Sequence, residues 1–220
     1  PGMMETVLDI GLNDRSVQGL AAQVRNGAFA LDSYRRLIQM FGRTVLGIEE
    51  DRFADVLSQA KTGAVTTEHL SEDELRAVVT AFKQIVLDAT VKEFPQDPRE
   101  QLRMAIRAVF DSCNTERATL YRRREGISND LGTAVNVMAM VFGNRGSDSG
   151  TGVAFTRDPA SGQQGLYGDY LADAQGEDVV SGTRNALPIA SLEKLDPESY
   201  RQLLRNAEIL EHHYRDLGDI

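Results

Sequence analysis

Ten consecutive residues carry the densest chemistry in the chain: Gly143-Asn144-Arg145-Gly146-Ser147-Asp148-Ser149-Gly150-Thr151-Gly152. Four of the ten are glycine. Glycine lets a backbone take positive φ and come close to a ligand. Successive free N–H groups in such a turn form a nest for an anion. Thr151 adds a hydroxyl, and Arg145 adds a guanidinium suited to phosphate. The run is not a Walker loop, because the lysine is missing, and it is not a dinucleotide fingerprint. A plain hairpin loop has the same composition, so residue types alone leave both readings open.

A second candidate is Gly176-Glu177-Asp178, which runs on into Val179-Val180-Ser181-Gly182. Adjacent carboxylates can hold Mg²⁺ or accept hydrogen bonds from a ribose. An acidic turn feeding a short strand is the plainer alternative. The three histidines, His69, His212 and His213, have no acid or cysteine spacing that suggests a metal site. All three read as structural or surface residues. Cys113 reads as a small packing residue near a helix end. Arg122-Arg123-Arg124 reads as a solvated helix face that can meet an acidic partner or a phosphate.

The elements that must position these residues fall into blocks. Residues 1–13 are a lead segment, residues 14 to about 126 read as almost entirely helical, and residues 127–187 read as strands and loops before a last helix. Tyr34, Leu37, Ile38, Phe41 and Val45 form one apolar stripe. Ser71 and Glu74 form a capping box before Leu75, Val78, Val79, Phe82 and Val86. Asp97, Pro98 and Glu100 open a helix whose expected buried face is Leu102, Ala105, Ile106, Val109 and Phe110. Asp196 and Pro197 start the final helix, with Leu203, Ala207, Leu210, Tyr214 and Leu217 expected inward. Thr133 to Phe142 is apolar on both alternating faces, which predicts a strand in the middle of a sheet. Val153 and Phe155 continue as a second strand, which Asp158-Pro159 stops. Gln164 to Ala172 is a third.

Composition bounds the function. The chain has 220 residues, is 41% hydrophobic and 26% charged, and has no Trp. It is large enough to bury a core of aliphatic residues without disulfides. The net charge of -9 argues against nonspecific nucleic-acid binding, which needs surplus Lys and Arg. A small anion can still find a locally positive pocket. A single cysteine suits a reducing cytoplasm. No stretch approaches the roughly 18 consecutive apolar residues of a membrane span. The start at Pro1-Gly2-Met3-Met4 reads as a cut inside a longer protein, and a mature N-terminus after Met removal is the alternative.

Longer strings carry more than their spacing. Pro1-Gly2-Met3-Met4-Glu5-Thr6-Val7-Leu8 with Gly11-Leu12-Asn13-Asp14 resembles the opening of the nucleotide domain of the pyruvate, phosphate dikinase family. The runs Asp32 to Met40, Phe94 to Pro98, Ala108 to Phe110, Tyr121 to Arg123, Gly132 to Val137, Ser149 to Arg157 and Ala174 to Gly182 extend the resemblance in the same order. It covers essentially the whole chain.

The resemblance implies an α+β fold: a partial ATP-grasp-type nucleotide-binding domain with a large all-helical insert. Residues 1–13 would be the lead of that domain, 14–115 the insert, and 116–220 its mixed α/β part. The family converts ATP, phosphate and pyruvate to AMP, diphosphate and phosphoenolpyruvate with Mg²⁺, through a carrier histidine on a separate swivelling domain. By residue, Gly2 and Met4 match the loop bordering the nucleotide. Gly150, Thr151 and Gly152 match the phosphate-side turn, and Glu177 and Asp178 match an acidic pair near the nucleotide.

The implied partners are ATP, phosphate and the carrier-histidine domain. The family's arginine before the Pro-Gly-Met-Met string, its metal-binding glutamate, its Gln-x-Arg strand and its Thr-Ser-His carrier motif are not matched. No catalytic residue is therefore assigned, the metal ligands stay unknown, and this chain alone is expected to be inactive. A short binding or regulatory module on the same scaffold and a piece of a pyruvate, water dikinase are the alternatives. A bare sheet edge is expected to promote homo-oligomers. The expectation that ties these together is that Thr151 and Glu177 share one hollow.

Overall fold

A computed structural model describes residues 3–4, 6–60, 70–182 and 184–220. The chain divides into two compact units, residues 1–140 and 141–220. Among the described residues, no helix is long and apolar enough to cross a membrane.

The first unit is helical: α1 (Ser16–Val24), α2 (Gly27–Thr44), α3 (Glu50–Ala60), α4 (Glu72–Thr90), α5 (Pro98–Asp111) and α6 (Glu116–Arg124). The predicted caps form. Ser71 Oγ accepts from Glu74 N–H while Glu74 accepts from Ser71 N–H at 2.7 Å. Asp97 accepts from Arg99 N–H at 3.0 Å, with Pro98 in the first turn. The stripes of α2 and α4 bury Tyr34, Leu37, Ile38, Phe41, Leu75, Val78 and Phe82. Phe53 of α3 meets Phe82 edge to face at 5.0 Å, and Phe41 meets Phe94 at 5.6 Å, geometries that suit the ring quadrupoles. A Cβ on Gly42 would lie 2.6 Å from Phe53 Cζ, so glycine is what lets this ring pack against α2.

The lead segment is tied to these helices. Val7, Ile10 and Leu12 pack against their core. Gln101 is fully buried and accepts from Gly11 N–H at 2.8 Å. Its amide donates to Leu12 and Pro95 carbonyls at 2.9 and 2.8 Å, which uses the whole group. Asp32 in α2 receives both Arg35 and Arg36. Burial opposes its charged form, yet the two guanidiniums hold its carboxyl below the ordinary value.

The second unit holds β1 (Gly150–Arg157), β2 (Gln164–Ala172), α7 (Gly176–Val180), β3 (Leu187–Pro188), α8 (Leu192–Leu195) and α9 (Pro197–Tyr214). The strands form an antiparallel sheet in the order β1-β2-β3. In β1 against β2, Gly150 faces Ala172, Gly152 faces Tyr170 and Ala154 faces Gly168. Gly168 sits at φ +154 where a Cβ would overlap the Val153 carbonyl. The far edge of β1 is partly occupied by the chain's own last residues. Ala154 N–H donates to Ile220 C=O at 2.9 Å, Ile220 N–H donates back at 2.8 Å, and Thr156 N–H donates to Gly218 C=O at 3.0 Å. Asp196 caps α9, accepting from Glu198 and Ser199 N–H groups.

Four sequence expectations need correction. Thr133 to Phe142 is not a strand, and Val137, Met138 and Val141 are 64%, 85% and 85% exposed. A strand buried on both faces needs partners at both edges, and no strand among the described residues pairs with this run. In α5 the buried positions are Gln101 and Ala105, while Phe110 is exposed, because the face that docks on the lead segment is set by Gln101. Tyr214 and Leu217 are exposed. Tyr214 ends α9 and Leu217 lies past its left-handed cap at Arg215, where helical periodicity no longer applies. Arg122 is buried rather than solvated, and its guanidinium donates to Asn129 Oδ1 at 2.8 Å.

Candidate functional site

The glycine-rich turn is built before it is a site. Ser149 Oγ accepts from Arg145 and Gly146 N–H at 3.0 and 3.1 Å and donates to Gly146 C=O at 2.7 Å. Asp173 N–H donates to Ser149 C=O at 2.9 Å, and Ala174 N–H donates to Gly143 C=O at 3.0 Å. Both ends of the turn are thereby pinned to the segment between β2 and α7. Gly143 is required for this approach, since a Cβ there would overlap the carbonyl oxygens of Ala174 and Gly150.

Strand alternation then sorts the next residues. Gly150, Gly152 and Ala154 share one face with Tyr170. A Cβ on Gly152 would lie 2.7 Å from Asp169 C=O and 3.3 Å from Ile189 Cδ1. On this side lies a hollow of about 320 Å³, lined by Gly150, Thr151, Gly152, Tyr170, Ile189 and Leu203 among others. Asp196 and Ser199 reach its wall. The Asp196 carboxylate accepts from the Ser199 hydroxyl, and that hydrogen bond holds its carboxyl below the ordinary value.

The Thr151 side chain belongs to the other face, opposite Leu171. There a Cβ on Gly176 would sit 3.8 Å from Thr151 Oγ1. The glycine turn and the start of the acidic pair are therefore neighbours. Glu177 and Asp178 stand in the first turn of α7, where acids favour the helix N-terminus. The run through Val180 is a short helix, not the strand of the plainer reading. Asp178 is already engaged: its carboxylate accepts from Gln175 N–H at 2.9 Å. Neither acid is among the residues lining the hollow, so Thr151 and Glu177 do not share it as the sequence reading expected: the first turn of α7 meets the opposite face of β1.

Other named residues are placed as follows. Met4 is half-buried in the lead segment, and Gly2 lies outside the described residues, as does His69. His212 and His213 are exposed on α9. Among the described residues, no group of three or more His, Cys, Asp or Glu could hold a metal ion. Gln175 was not singled out by its sequence, although it precedes Gly176-Glu177-Asp178. It is 1% exposed.

The pyruvate phosphate dikinase AMP/ATP-binding domain family matches residues 1–190. A chloroplastic pyruvate, phosphate dikinase of Flaveria pringlei is 48% identical across 100% of this chain, and the match takes up 23% of that protein. The pyruvate, phosphate dikinase of Clostridium symbiosum is 47% identical across 100% of this chain and 26% of its own length. That of Giardia intestinalis is 48% identical with the same two coverages. The chain thus spans only 23% to 26% of the length of these curated relatives.

Proposed function

Since the chain belongs to the pyruvate phosphate dikinase AMP/ATP-binding domain family, we propose that it forms part of the ATP site of a dikinase. In that enzyme ATP and phosphate would phosphorylate a carrier histidine on another domain, leading to phosphoenolpyruvate, AMP and diphosphate. The observation that carries the reading is the meeting of Thr151 with Gly176, 3.8 Å from hydroxyl to the position a Cβ would take. It puts the glycine turn, with its N–H donors, beside the element that bears Glu177 and Asp178. Donors for phosphate oxygens on one element and carboxylates on the next are what Mg–ATP needs, because phosphoryl transfer is mostly positioning and charge stabilisation.

In this proposal Gly150, Thr151 and Gly152 serve the phosphates, and Gly2 and Met4 belong to a loop that borders the nucleotide. The helical residues 14–115 act as an insert in an ATP-grasp-type domain. Mg²⁺ typically keeps several waters and takes one or two carboxylates plus substrate phosphates. Glu177 and Asp178 fit that modest demand, with Asp178 partly committed to its helix cap. The ion would neutralise charge on the phosphates. The lone Cys113 supports a reducing, cytoplasmic setting.

Calorimetric titration of Mg–ATP into the chain tests the reading. Binding is expected, weakened about tenfold or more by Thr151→Val, on the scale of one lost hydrogen bond to a charged group. No heat of binding at millimolar ATP would sink it. The chain alone is expected to have no dikinase turnover, and AMP formed from ATP with phosphate and pyruvate would overturn that expectation.

A further inference from the structure

Near the glycine turn, three buried polar atoms have no hydrogen-bond partner: Nε2 and Oε1 of Gln175, and Oδ1 of Asn144. The backbone brings their residues together. Gly143 and Ala174 are joined by a 3.0 Å hydrogen bond, and Asn144 and Gln175 are the next residue along from each. The main chain of Gln175 is fully used, donating to the Asp178 carboxylate at 2.9 Å and accepting from Asp178 N–H at 2.9 Å. Its side chain is 1% exposed, and neither of its polar atoms has a hydrogen-bond partner among the described residues.

Buried polar groups in folded proteins are nearly always paired, and an orphan is costly. A leucine would fill similar space without that cost, so packing does not account for an amide here. The orphans are one donor group and two acceptor oxygens. Exchanging the oxygen and nitrogen of Gln175 leaves that count unchanged. A phosphate offers acceptors only and would leave both oxygens unpaired. A group that donates and accepts together satisfies all three: the amino edge of a nucleobase, or the hydroxyls of a ribose.

We propose that Gln175, with Asn144 beside it, binds the nucleoside end of the nucleotide, while Gly150, Thr151 and Gly152 serve its phosphates. The assignment rests on the nucleotide reading of this site. Because the amide is enclosed, contact requires a shift of the neighbouring 143–149 turn, which two backbone hydrogen bonds tie to residues 173 and 174.

The test is Gln175→Leu in the full chain, read by melting temperature and by titration with Mg–ATP and with magnesium tripolyphosphate. The variant is expected to melt at or above the parent. Its affinity for ATP should fall about tenfold, and its affinity for tripolyphosphate should not change. A triphosphate of purine riboside, lacking the amino group, sorts the two nucleoside sources. It binds parent and variant alike if the amino group is the partner, and it weakens as ATP does if the ribose is. Unchanged ATP affinity, equal losses for ATP and tripolyphosphate, or a lower melting temperature would each overturn the role of Gln175. The last would mark a structural amide completed by an internal water. If the unmodified chain binds neither ligand, the nucleotide reading falls and this inference with it. Unchanged ATP affinity in the variant sinks only the inference.

Discussion

The helical unit and the sheet unit solve the same packing problem with different materials. In the first, five large side chains, Tyr34, Phe41, Phe53, Phe82 and Phe94, are at most 1% exposed and meet edge to face. In the second, the buried apolar residues include no aromatic among the described residues: Ala154, Ala174 and Ala207 accompany Leu171, Ile189 and Leu192. Large side chains such as Val180, Ile209 and Tyr214 stay on its surface. Buried aromatics and aliphatics supply most of the apolar area removed from water, so the helical unit has the deeper source of stability. The sheet unit instead spends its small residues on close backbone approach, which leaves a hollow lined by Gly150, Thr151 and Gly152. What the contrast teaches is a division of labour, with the aromatic core in one unit and the glycine turn and its hollow in the other.

The contrast breaks or sharpens with substitution. Phe82→Ala should have the largest effect, about 3–5 kcal/mol, because it empties a fully buried aromatic site. Urea unfolding gives the magnitude and hydrogen exchange gives the place. Protection should fall in α2, α3 and α4, and an equal fall in residues 150–172 would join what the contrast separates. Asp32→Asn should follow at about 3 kcal/mol, since it leaves Arg35 buried without its carboxylate. Its pH dependence has a definite sign. The folded value of Asp32 is lowered from 3.8, so its contribution is complete above that pH and is lost as pH falls through the lowered value. Acid titration of stability should therefore flatten in the variant, and an unchanged profile would remove Asp32 from the account.

Gly152→Ala should cost about 1–3 kcal/mol through overpacking against Ile189 and the Asp169 carbonyl. Its loss of protection should be confined to β1 and β2, with weaker Mg–ATP binding. Wild-type affinity in that variant would detach the turn from the site. Smallest is Ser71→Ala, about 1 kcal/mol, which removes one half of the capping box of α4. Thermal melting should register it while nucleotide affinity stays unchanged.

How much of this was legible in the sequence follows from the distance over which each feature is decided. Caps and apolar stripes depend on residues three and four apart, so α2, α4 and the starts of α5 and α9 could be read directly from side-chain type. The strands Gly150–Arg157 and Gln164–Ala172 were also legible, because each is bounded by its own turn residues. The strings shared with the family needed no fold at all to point to the AMP/ATP-binding domain.

Other features were decided only by partners far away in the chain. The run from Thr133 to Phe142 has the pattern of a central strand, but pattern supplies no partner, and the run forms no strand of the sheet among the described residues. Gln101 looks like any surface glutamine until Gly11, 90 residues away, donates to it. Phe110 lost the buried face of α5 for the same reason. The meeting of Thr151 with Gly176, and the burial of Gln175 without a partner, arise from how β2 returns the chain to the glycine turn. Local pattern states which face a residue can present, and only the tertiary structure decides what stands opposite, because pairing across a sheet or into a core is set by contacts the neighbouring sequence does not contain.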